Sequence, residues 1–570
     1  MAPQVTGYRD AEAVDNVVEM GITGTVHLVD LDGSMGAVHD KSQKDVVLYP
    51  TPSSDPNDPL NWSQKRKWLN SFCLQLYTFM IAGGTATGYA VYPQIIESTG
   101  IPLSTLNSAI GVMFLILGWG CLFWCPIGLQ YGRRGVYLIS LLGCMAMNLW
   151  APYTASAGTW YAHRFLYGFF GAPVEALVEQ SMPDMFFTHE RGLHVGLFLM
   201  WLGGASFLFP IAAGYVAQTM DWRWCFYFPV IFKGASIVFL YFFMDETMYD
   251  RSLMQQQALA RGQAARGVSM PAPVDSQQAQ LPPKEMNSEE KSAKAPSESS
   301  ANLEAVVSGD MLIYEPLTLS KRLALFRVTP GKENKLWAMM IRPMKHAITF
   351  PIMAMAGFQY GTYLMFFVVL NATWTTILQA EPYNFSPGIT GVAYVAPFLG
   401  ALVGSAYSGW FGDRFHLWMA RRNGGIREPE QRLWLYIACS LGLMTGLLLW
   451  GVGSGHIHWF GVLFGAFLLG FTGVLGGASP IAYISDSYPM LLGEGMITMT
   501  LIRNTMGFAM GYAITPFFEN VGIRNTFITC AFLALGLTST FLIFIFVGKA
   551  ERKRTTAKYY EYAANATMTH

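Results

Sequence analysis

Apolar residues recur along the chain in long runs that carry few charges. Twelve such runs follow one another from Trp68 to Gly548, each close to the roughly 20 residues that a helix needs to cross a bilayer. Turn-forming segments separate them, such as STGIPLS around Gly100 and GLQYGRR before Arg134. The pattern predicts twelve transmembrane helices. They are expected at about 68–92, 104–128, 135–154, 160–182, 193–217, 223–244, 346–371, 384–410, 432–452, 457–483, 495–517 and 525–548.

Polar stretches divide the chain into five parts. Residues 1–67 are a flexible N-terminal arm that ends in turn signals and a Lys-Arg-Lys anchor before the first span. Residues 245–344 are rich in Gln, Ser, Pro, Lys and Glu, and they cannot bury enough apolar surface to fold alone. Within this disordered linker, the amphipathic piece 317–328 is either a membrane-surface helix or a solvated one. Six-helix halves at 68–244 and 345–548 and a basic tail at 549–570 complete the chain.

Composition places the chain in the membrane class. Hydrophobic residues make up 52% and charged residues only 13%, against about 25% charged in a typical soluble protein. Basic and acidic residues both number 37, so the net charge gives no indication of a nucleic-acid partner. All seven cysteines lie in apolar segments without CxxC spacing, and we expect neither disulfides nor a metal site. The fold class is therefore an all-α membrane protein.

The distribution of arginine and lysine predicts the orientation in the membrane. By the positive-inside rule, the loops richer in Lys and Arg face the cytoplasm. One set of loops carries Arg133, Arg134, Arg191, the linker, Arg414, Arg421, Arg422, Arg427, Arg432 and the tail from Lys549, whereas the other set carries Arg223 and Arg524. Both termini are therefore expected in the cytoplasm. The expected location is the plasma membrane, with the vacuolar membrane as the alternative.

Three charged residues lie within the fourth run. Arg164, Glu175 and Glu179 interrupt apolar sequence, although a charge at the bilayer centre costs roughly 2.5 to 3.5 kcal/mol on insertion scales. Helical spacing of about 100° per residue puts all three on one face. We expect Glu175 to bind substrate or a proton, with a structural salt bridge as the alternative. Glu179 lies one turn further, where a gating role is expected.

Other candidate chemistry is sparse. The chain has no phosphate-binding glycine loop, no Walker lysine, no GxSxG and no metal-ligand cluster, so we predict no enzyme activity and no cofactor. Lys233 is expected to be structural. Arg503, followed by Asn504, is expected to pair with substrate or with a glutamate, and a structural role is equally open.

Several motifs resemble those of the major facilitator superfamily, and more closely its fungal drug:proton antiporter branch with twelve spans. They are DPNDPLNW before the first span, GRR at 132–134, RFLYGFFGAP from Arg164, DMFFTHERG from Asp184 and WRWCFYF from Trp222. ARRNGGIREPEQRLW from Ala420 and RNTMGFAMGYAITP from Arg503 resemble the subgroup of the yeast histidinol and polyamine transporter. The resemblance covers about 55–548 and implies a monomer with two six-helix halves around a central cavity.

The resemblance implies roles for named residues. The gate at the cytoplasmic end would use cations that pair with carboxylates on neighbouring helices, and the seventh span would line the cavity. The implied gating residues are Arg133, Arg134, Glu179, Asp184, Asp413 and Arg414. The implied substrate- or proton-binding residues are Glu175, Arg164, Gln359, Tyr360, Asn371, Trp374, Arg503 and Asn504.

Two positions depart from the family pattern. Leu129 stands where the loop motif normally has Asp, and Phe209 stands before Pro210 where exporters of this kind have a Gly-Pro motif. The function that the resemblance implies is proton-coupled efflux of small organic molecules, either amphipathic or cationic, such as natural products, drugs or polyamines. The alternatives are proton-driven uptake of polyamines or related cations and, more remotely, a non-transporting membrane sensor. Substrate and direction are not fixed by the sequence.

Overall fold

The computed structural model describes residues 55–186, 188–249, 322–327, 334–422 and 426–564, together with 23, 26–27, 53 and 254. Within these ranges the chain forms nineteen α-helices and one pair of two-residue strands. The helices of the N-terminal half are α1 Gln64–Ala86, α2 Tyr92–Thr99, α3 Leu103–Trp119, α4 Cys121–Tyr131, α5 Arg133–Trp150, α6 Ala157–Gly171, α7 Pro173–Met185, α8 Thr188–Thr219 and α9 Trp224–Phe243.

The C-terminal half begins inside the segment assigned to the linker, because its first helix starts at Leu336. Its helices are α10 Leu336–Thr349, α11 Pro351–Leu378, α12 Pro387–Val392, α13 Val395–Ala406, α14 Gly412–Arg422, α15 Tyr436–Leu447, α16 Trp459–Ser487, α17 Leu492–Val521, α18 Ile523–Ser539 and α19 Phe541–Ala564. The strands are β1 Val26–His27 and β2 Ile426–Arg427, which pair antiparallel.

Helices occupy all twelve predicted positions, and the expected all-α class is confirmed. Nine helical stretches in the described ranges are long and apolar enough to cross a membrane. The stretches outside that group are α1, α6 with α7, and α17, which carry the polar residues of the bundle interior. The count of twelve spans stays a prediction.

Several spans are interrupted within their length. α6 ends at Gly171, and α7 begins at Pro173 after the single residue Ala172. Proline fits the first turn of a helix, because that turn does not need its missing N–H. Two π-helical segments, Tyr407–Phe411 and Leu448–Val452, widen spans of the C-terminal half. These breaks shape the bundle interior.

Each half has its own apolar core. The N-terminal core includes Tyr77 and Trp160, and the C-terminal core includes Trp374 and Trp450, whose rings stack at a centroid distance of 4.8 Å. Met339 of the C-terminal half belongs to the N-terminal core, and Phe207 of the N-terminal half belongs to the C-terminal core, so the two cores are joined. The interface between the halves is therefore where a cavity can form.

The two halves approach most closely near one end of the bundle. A Cβ on Gly511 would lie 2.7 Å from Gly111 Cα, so α3 and α17 cross with their backbones in contact. Asn107 Nδ2 also donates to Thr515 Oγ1 across this crossing at 2.9 Å. The second crossing is between α8 and α12, where a Cβ on Gly391 would lie 3.1 Å from the Cα of a glycine at position 214. We call this the glycine end of the bundle.

The other end carries Arg133, Arg134, Arg432 and Arg552, and we call it the arginine end. Here β1 of the N-terminal arm pairs with β2 of the C-terminal half, so these arm residues have a defined place in what the sequence indicated as a flexible segment. Residues 322–327 of the linker pack on the start of α5. The rest of the arm before 53, linker residues 255–321 and 328–333 and the tail after 564 lie outside the described residues.

Candidate functional site

A cavity of about 170 Å³ lies between the two halves. Its wall is mostly apolar, with Phe114, Leu202, Phe207 and Leu364 among the lining side chains. Pockets for drug-sized ligands are typically about 300 to 1,000 Å³, so the halves enclose this cavity more tightly than such a ligand requires. The polar side chains of the wall are Thr85, Tyr89, Glu175, Ser206, Tyr360, Tyr363, Thr472 and Arg503.

Glu175 and Arg503 form an ion pair in this wall. Glu175 belongs to α7 of the N-terminal half and Arg503 to α17 of the C-terminal half, and both side chains are buried. The Arg503 guanidinium also lies over the Tyr360 ring at 4.5 Å, and its Nε donates to Asn504 Oδ1 at 3.1 Å. The pair therefore joins the halves through opposite charges in a water-poor site.

The break between α6 and α7 explains the position of Glu175. Because α7 begins at Pro173, Glu175 lies in the first turn of a helix inside the bundle. The N-terminus of a helix carries a partial positive charge, which stabilises a nearby carboxylate. Interrupted helices with their ends at the binding site are typical of secondary transporters. The sequence indicated a kink at this proline but not a helix end directed at the carboxylate.

Glu179 lies one turn after Glu175 on α7 and is also buried. It is within electrostatic reach of Tyr360 and Cys121, so it lies beside the cavity wall at the arginine-end side of the ion pair. Its Oε2 has no hydrogen-bond partner among the described residues. Arg503 thus pairs with Glu175, and Glu179 is a second carboxylate beside this pair.

Three predicted binding residues of α11 lie away from the cavity. Gln359 Nε2 donates to Thr538 O at 3.1 Å and to a hydroxyl beside it, at the junction of α18 and α19. Asn371 accepts from the Tyr394 hydroxyl at 2.9 Å, and the indole of Trp374 stacks on the same Tyr394 ring. These contacts are internal to the C-terminal core. Of the residues predicted on this helix, Tyr360 alone is among the cavity-lining side chains of the described chain.

Arg164 does not join the Glu175 pair, although helical spacing put both residues on one face. The guanidinium is fully buried and lies 5.0 Å from the Trp160 ring, with Nη1 at 3.8 Å from Met113 Sδ. The break at Pro173 separates its helix from α7. Arg164 therefore lies nearer the glycine end than the ion pair does.

At the arginine end, the predicted gating residue Arg133 pairs with Asp184. Arg133 Nη1 lies 2.5 Å from Asp184 Oδ2 and also donates to the carbonyl of Gln180 at 2.8 Å. The pair joins the start of α5 to the end of α7, and both side chains are buried. Glu246 fixes the loop by accepting from the backbone N–H groups of Arg133 and Arg134 at 3.0 and 2.9 Å. Leu129, the departure from the family motif, is buried beside this loop.

Arg134 binds the linker instead of a carboxylate. Its Nη1 donates to the carbonyls of Arg322 and Ala324 at 3.2 and 3.0 Å, and its Nη2 donates to the carbonyl of Tyr241. Arg322 in turn pairs with Asp245, and this hydrogen bonding raises the pKa of the Arg322 guanidinium. Segment 322–327 is therefore held against the gate loop.

In the C-terminal half, the predicted gating residues Asp413 and Arg414 lie near the start of α14. Arg414 is exposed and lies over the Trp410 ring at 4.0 Å, while the side chain of Asp413 lies outside the described residues. Arg432 pairs with Asp486 at 2.8 Å nearby. The gating roles of Asp413 and Arg414 stay predictions.

Two buried charge clusters were missed by the sequence analysis. His346 of α10 pairs with Glu494 at the start of α17, and both are buried. Arg552 of α19 makes two hydrogen bonds to Glu430, at 2.8 and 2.7 Å, and donates to Thr23 O of the N-terminal arm. These residues lie in short polar segments whose charges are typical of loops. Only the tertiary contacts identify the two clusters.

Within the described ranges no group of three or more His, Cys, Asp or Glu side chains is arranged to hold a metal ion. The seven cysteines are all buried and free. The cavity wall itself presents the ion pair of Glu175 and Arg503 among aromatic and aliphatic side chains.

Known proteins resemble the chain over nearly its whole length. The sequence model of the Major Facilitator Superfamily matches residues 74–265. An uncharacterised MFS-type transporter of Schizosaccharomyces pombe is 30% identical over 92% of this chain and 90% of its own. Protein HOL1 of Saccharomyces cerevisiae is 26% identical over 91% and 92%, and Efflux pump vrtL of Penicillium aethiopicum is 23% identical over 82% of each.

Solved structures show the same fold at low sequence identity. The proton:xylose symporter XylE aligns with a TM-score of 0.52 and 11% identity, covering 85% of this chain and 97% of its own. The relatives are transporters, which confirms the prediction that the chain is not an enzyme. With a 30% identical relative matched over nine-tenths of both chains and two halves around a central cavity, the chain belongs to the major facilitator superfamily and is a membrane transporter.

Proposed function

We propose that this protein is a proton-coupled transporter that exports amphipathic or cationic organic molecules by alternating access between its halves. The observation that carries the proposal is the buried ion pair of Glu175 and Arg503, which joins the halves in the cavity wall. Proton binding, substrate binding and separation of the halves would each change the contact between this carboxylate and Arg503.

Protonation of Glu175 removes the charge that attracts Arg503. The ionised pair favours conformations that bring α7 and α17 together, and a protonated Glu175 does not. A proton can shift a conformational equilibrium only through such a difference between the two states. Coupling of proton binding to opening of the cavity follows from this one contact.

A cationic substrate competes with Arg503 for the same carboxylate. Its apolar body would contact Phe114, Leu202, Phe207 and Leu364, while its charge would lie between Glu175 and the nearby Glu179. Because like charges repel, Arg503 and the substrate do not both remain beside Glu175. Substrate binding therefore loosens the link between the halves, as the proton does.

Export is favoured over uptake by the relatives, since one of them is named an efflux pump. Phe209, which packs on Phe79 at 5.3 Å before Pro210, keeps uptake as the alternative because it replaces the glycine of the export motif. The proposed orientation places both termini and the arginine end in the cytoplasm of a plasma-membrane monomer. The linker 245–344 would then be cytoplasmic.

Transport in proteoliposomes tests the function. Purified protein is reconstituted, a pH gradient is imposed, and the movement of ethidium and radiolabelled spermidine is followed in each direction. We expect concentrative movement against the direction of proton flow for at least one of the two probes. Accumulation of a probe in the direction of proton flow would favour uptake over export. Movement that does not depend on the pH gradient would overturn proton coupling.

A further inference from the structure

Arg164 is a fully buried cation whose hydrogen-bonding capacity is largely unused. Its Nε and Nη2 have no hydrogen-bond partner in the described part of the chain. Its neighbours are soft, namely the Met113 sulfur at 3.8 Å and the Trp160 ring at 5.0 Å. The ring face attracts the guanidinium but accepts no hydrogen bond of normal strength. A buried charge without a hydrogen-bonded counter-charge is costly, so the site favours an added acceptor.

Two tyrosines add donors at the same place. The hydroxyls of Tyr89 and Tyr92 are buried without a partner among the described residues, and both lie within electrostatic reach of Arg164. Their rings meet edge to face at a centroid distance of 5.9 Å. Gly88 leaves room for this arrangement, because a Cβ there would lie 2.9 Å from Arg164 Nη2. Arg164 and the two tyrosines are therefore neighbours beside the segment that follows α1.

The surroundings are positive. Lys233 of α9 is also buried and donates to the Tyr167 hydroxyl at 2.9 Å, and a Cβ on Gly84 would lie 2.6 Å from its Nζ. Gly84 lies in α1 and Gly88 lies four residues further on, just beyond the end of that helix, so both cations contact the same stretch of chain. No ion pair to either cation is present within the described ranges. The local potential therefore attracts a negative charge.

We infer that Arg164, Tyr89 and Tyr92 form an anion-binding site beside the central cavity. The ligand is a small monovalent anion or a carboxylate group, which accepts from Arg164 Nε and Nη2 and from the two hydroxyls. The Tyr89 side chain also lines the cavity, which places the site next to the cavity wall. It is separate from the pair of Glu175 and Arg503 and does not depend on the proposed proton coupling.

Thermal unfolding of the purified full-length protein tests the site. Bromide and formate are titrated at constant ionic strength against isethionate, an anion too bulky for the site. Binding to the folded state raises Tm in a saturable way. We expect saturable stabilisation by bromide and formate, an apparent Kd raised at least tenfold in Arg164→Gln, and no change in the control Arg223→Gln, an exposed arginine near the glycine end.

A structural readout and a second variant keep the test decisive. Bromide-soaked crystals should give an anomalous peak within hydrogen-bonding distance of the Arg164 guanidinium. If Arg164→Gln fails to fold, Tyr89→Phe with Tyr92→Phe keeps both rings and should weaken binding several-fold. Absence of anion-specific stabilisation in the unchanged protein, its survival in all these variants, or a peak elsewhere would overturn the site.

Transport assays distinguish the two sources of the anion. If the site holds a free anion, replacing external and internal chloride by isethionate should lower the transport of ethidium as well. If it holds the carboxylate of a transported molecule, bromide should inhibit movement of carboxyfluorescein and leave ethidium unchanged. If the anion binds but neither transport assay changes, the anion has a structural role beside α1.

Discussion

Glu175 and Arg503 come from opposite halves of the bundle, yet their side chains meet in a single buried ion pair. The pair lies in the cavity wall, where Tyr360 covers the guanidinium. Loss of either charge leaves the other buried and unpaired, which costs about 3 to 5 kcal/mol in comparable buried pairs. The carboxylate is therefore the place where protonation changes the association of the halves most directly.

Glu175→Gln should abolish concentrative transport driven by a pH gradient. Glutamine keeps the shape of the side chain but does not ionise, so proton binding no longer alters the contact with Arg503. Exchange of substrate across the membrane should persist at reduced affinity, because the apolar wall and the neighbouring carboxylate of Glu179 remain. The measurement is accumulation of ethidium or spermidine in proteoliposomes over a range of pH.

Glu97→Gln is the matched control for this change, because Glu97 is an exposed carboxylate outside the cavity. It should transport like the unchanged protein. If Glu175→Gln still accumulates substrate with an unchanged pH dependence, Glu175 is a structural partner of Arg503. Glu179 is then the next candidate for the coupling carboxylate.

Arg133→Gln should weaken closure of the arginine end. It removes the ion pair with Asp184 and the hydrogen bond to the Gln180 carbonyl, so both acceptors lose their cation. We expect lower transport and a several-fold faster reaction of a cysteine placed at Ser206, in the cavity wall, with a reagent applied from the arginine side. Unchanged labelling and transport would restrict Arg133 to orienting the chain in the membrane.

Arg134→Gln should release segment 322–327 from the gate loop. The change removes the donors to the carbonyls of Arg322 and Ala324. Trypsin cleavage after Arg322 and Arg327 should then become at least threefold faster. Cleavage after Arg554, which is 65% exposed in its side chain, serves as the internal reference and should keep its rate. If cleavage after Arg322 and Arg327 keeps the rate that it has in the unchanged protein, Arg134 does not hold the segment.

Arg552→Gln should destabilise the C-terminal half. The arginine is fully buried and binds Glu430 through two hydrogen bonds, so its loss leaves a buried carboxylate and costs about 3 to 5 kcal/mol. Arg554→Gln should change stability by less than about 0.5 kcal/mol, since that arginine is exposed. Denaturant unfolding measures both, and the double variant with Glu430→Gln should cost less than the sum of the single changes.

The helical architecture was accessible from the sequence, because long apolar runs in a bilayer have few structures other than helices. The motif at Arg133 indicated a carboxylate partner at the same end of the bundle but did not decide between Asp184 and Glu179. The partner of Arg503 was only partly accessible: its position in a span suggested substrate or a glutamate, but nothing in the spacing selects Glu175, more than 300 positions away. The seventh span shows the same limit: Asn371 and Trp374 carry suitable chemistry, but helix rotation turns them into the C-terminal core.

The backbone contact of Gly111 and Gly511 gives the molecule unequal lever arms. From Gly511, α17 extends about 28 Å to its start at the arginine end and about 15 Å to its other end. A rotation of about 10° around this fulcrum would move the arginine end by about 5 Å and the glycine end by under 3 Å. The same small rocking motion therefore has a mechanical gain of nearly two at the end where charge pairs, linker and N-terminal arm converge. Bulk added at either glycine would displace the fulcrum itself and change the stroke at both ends.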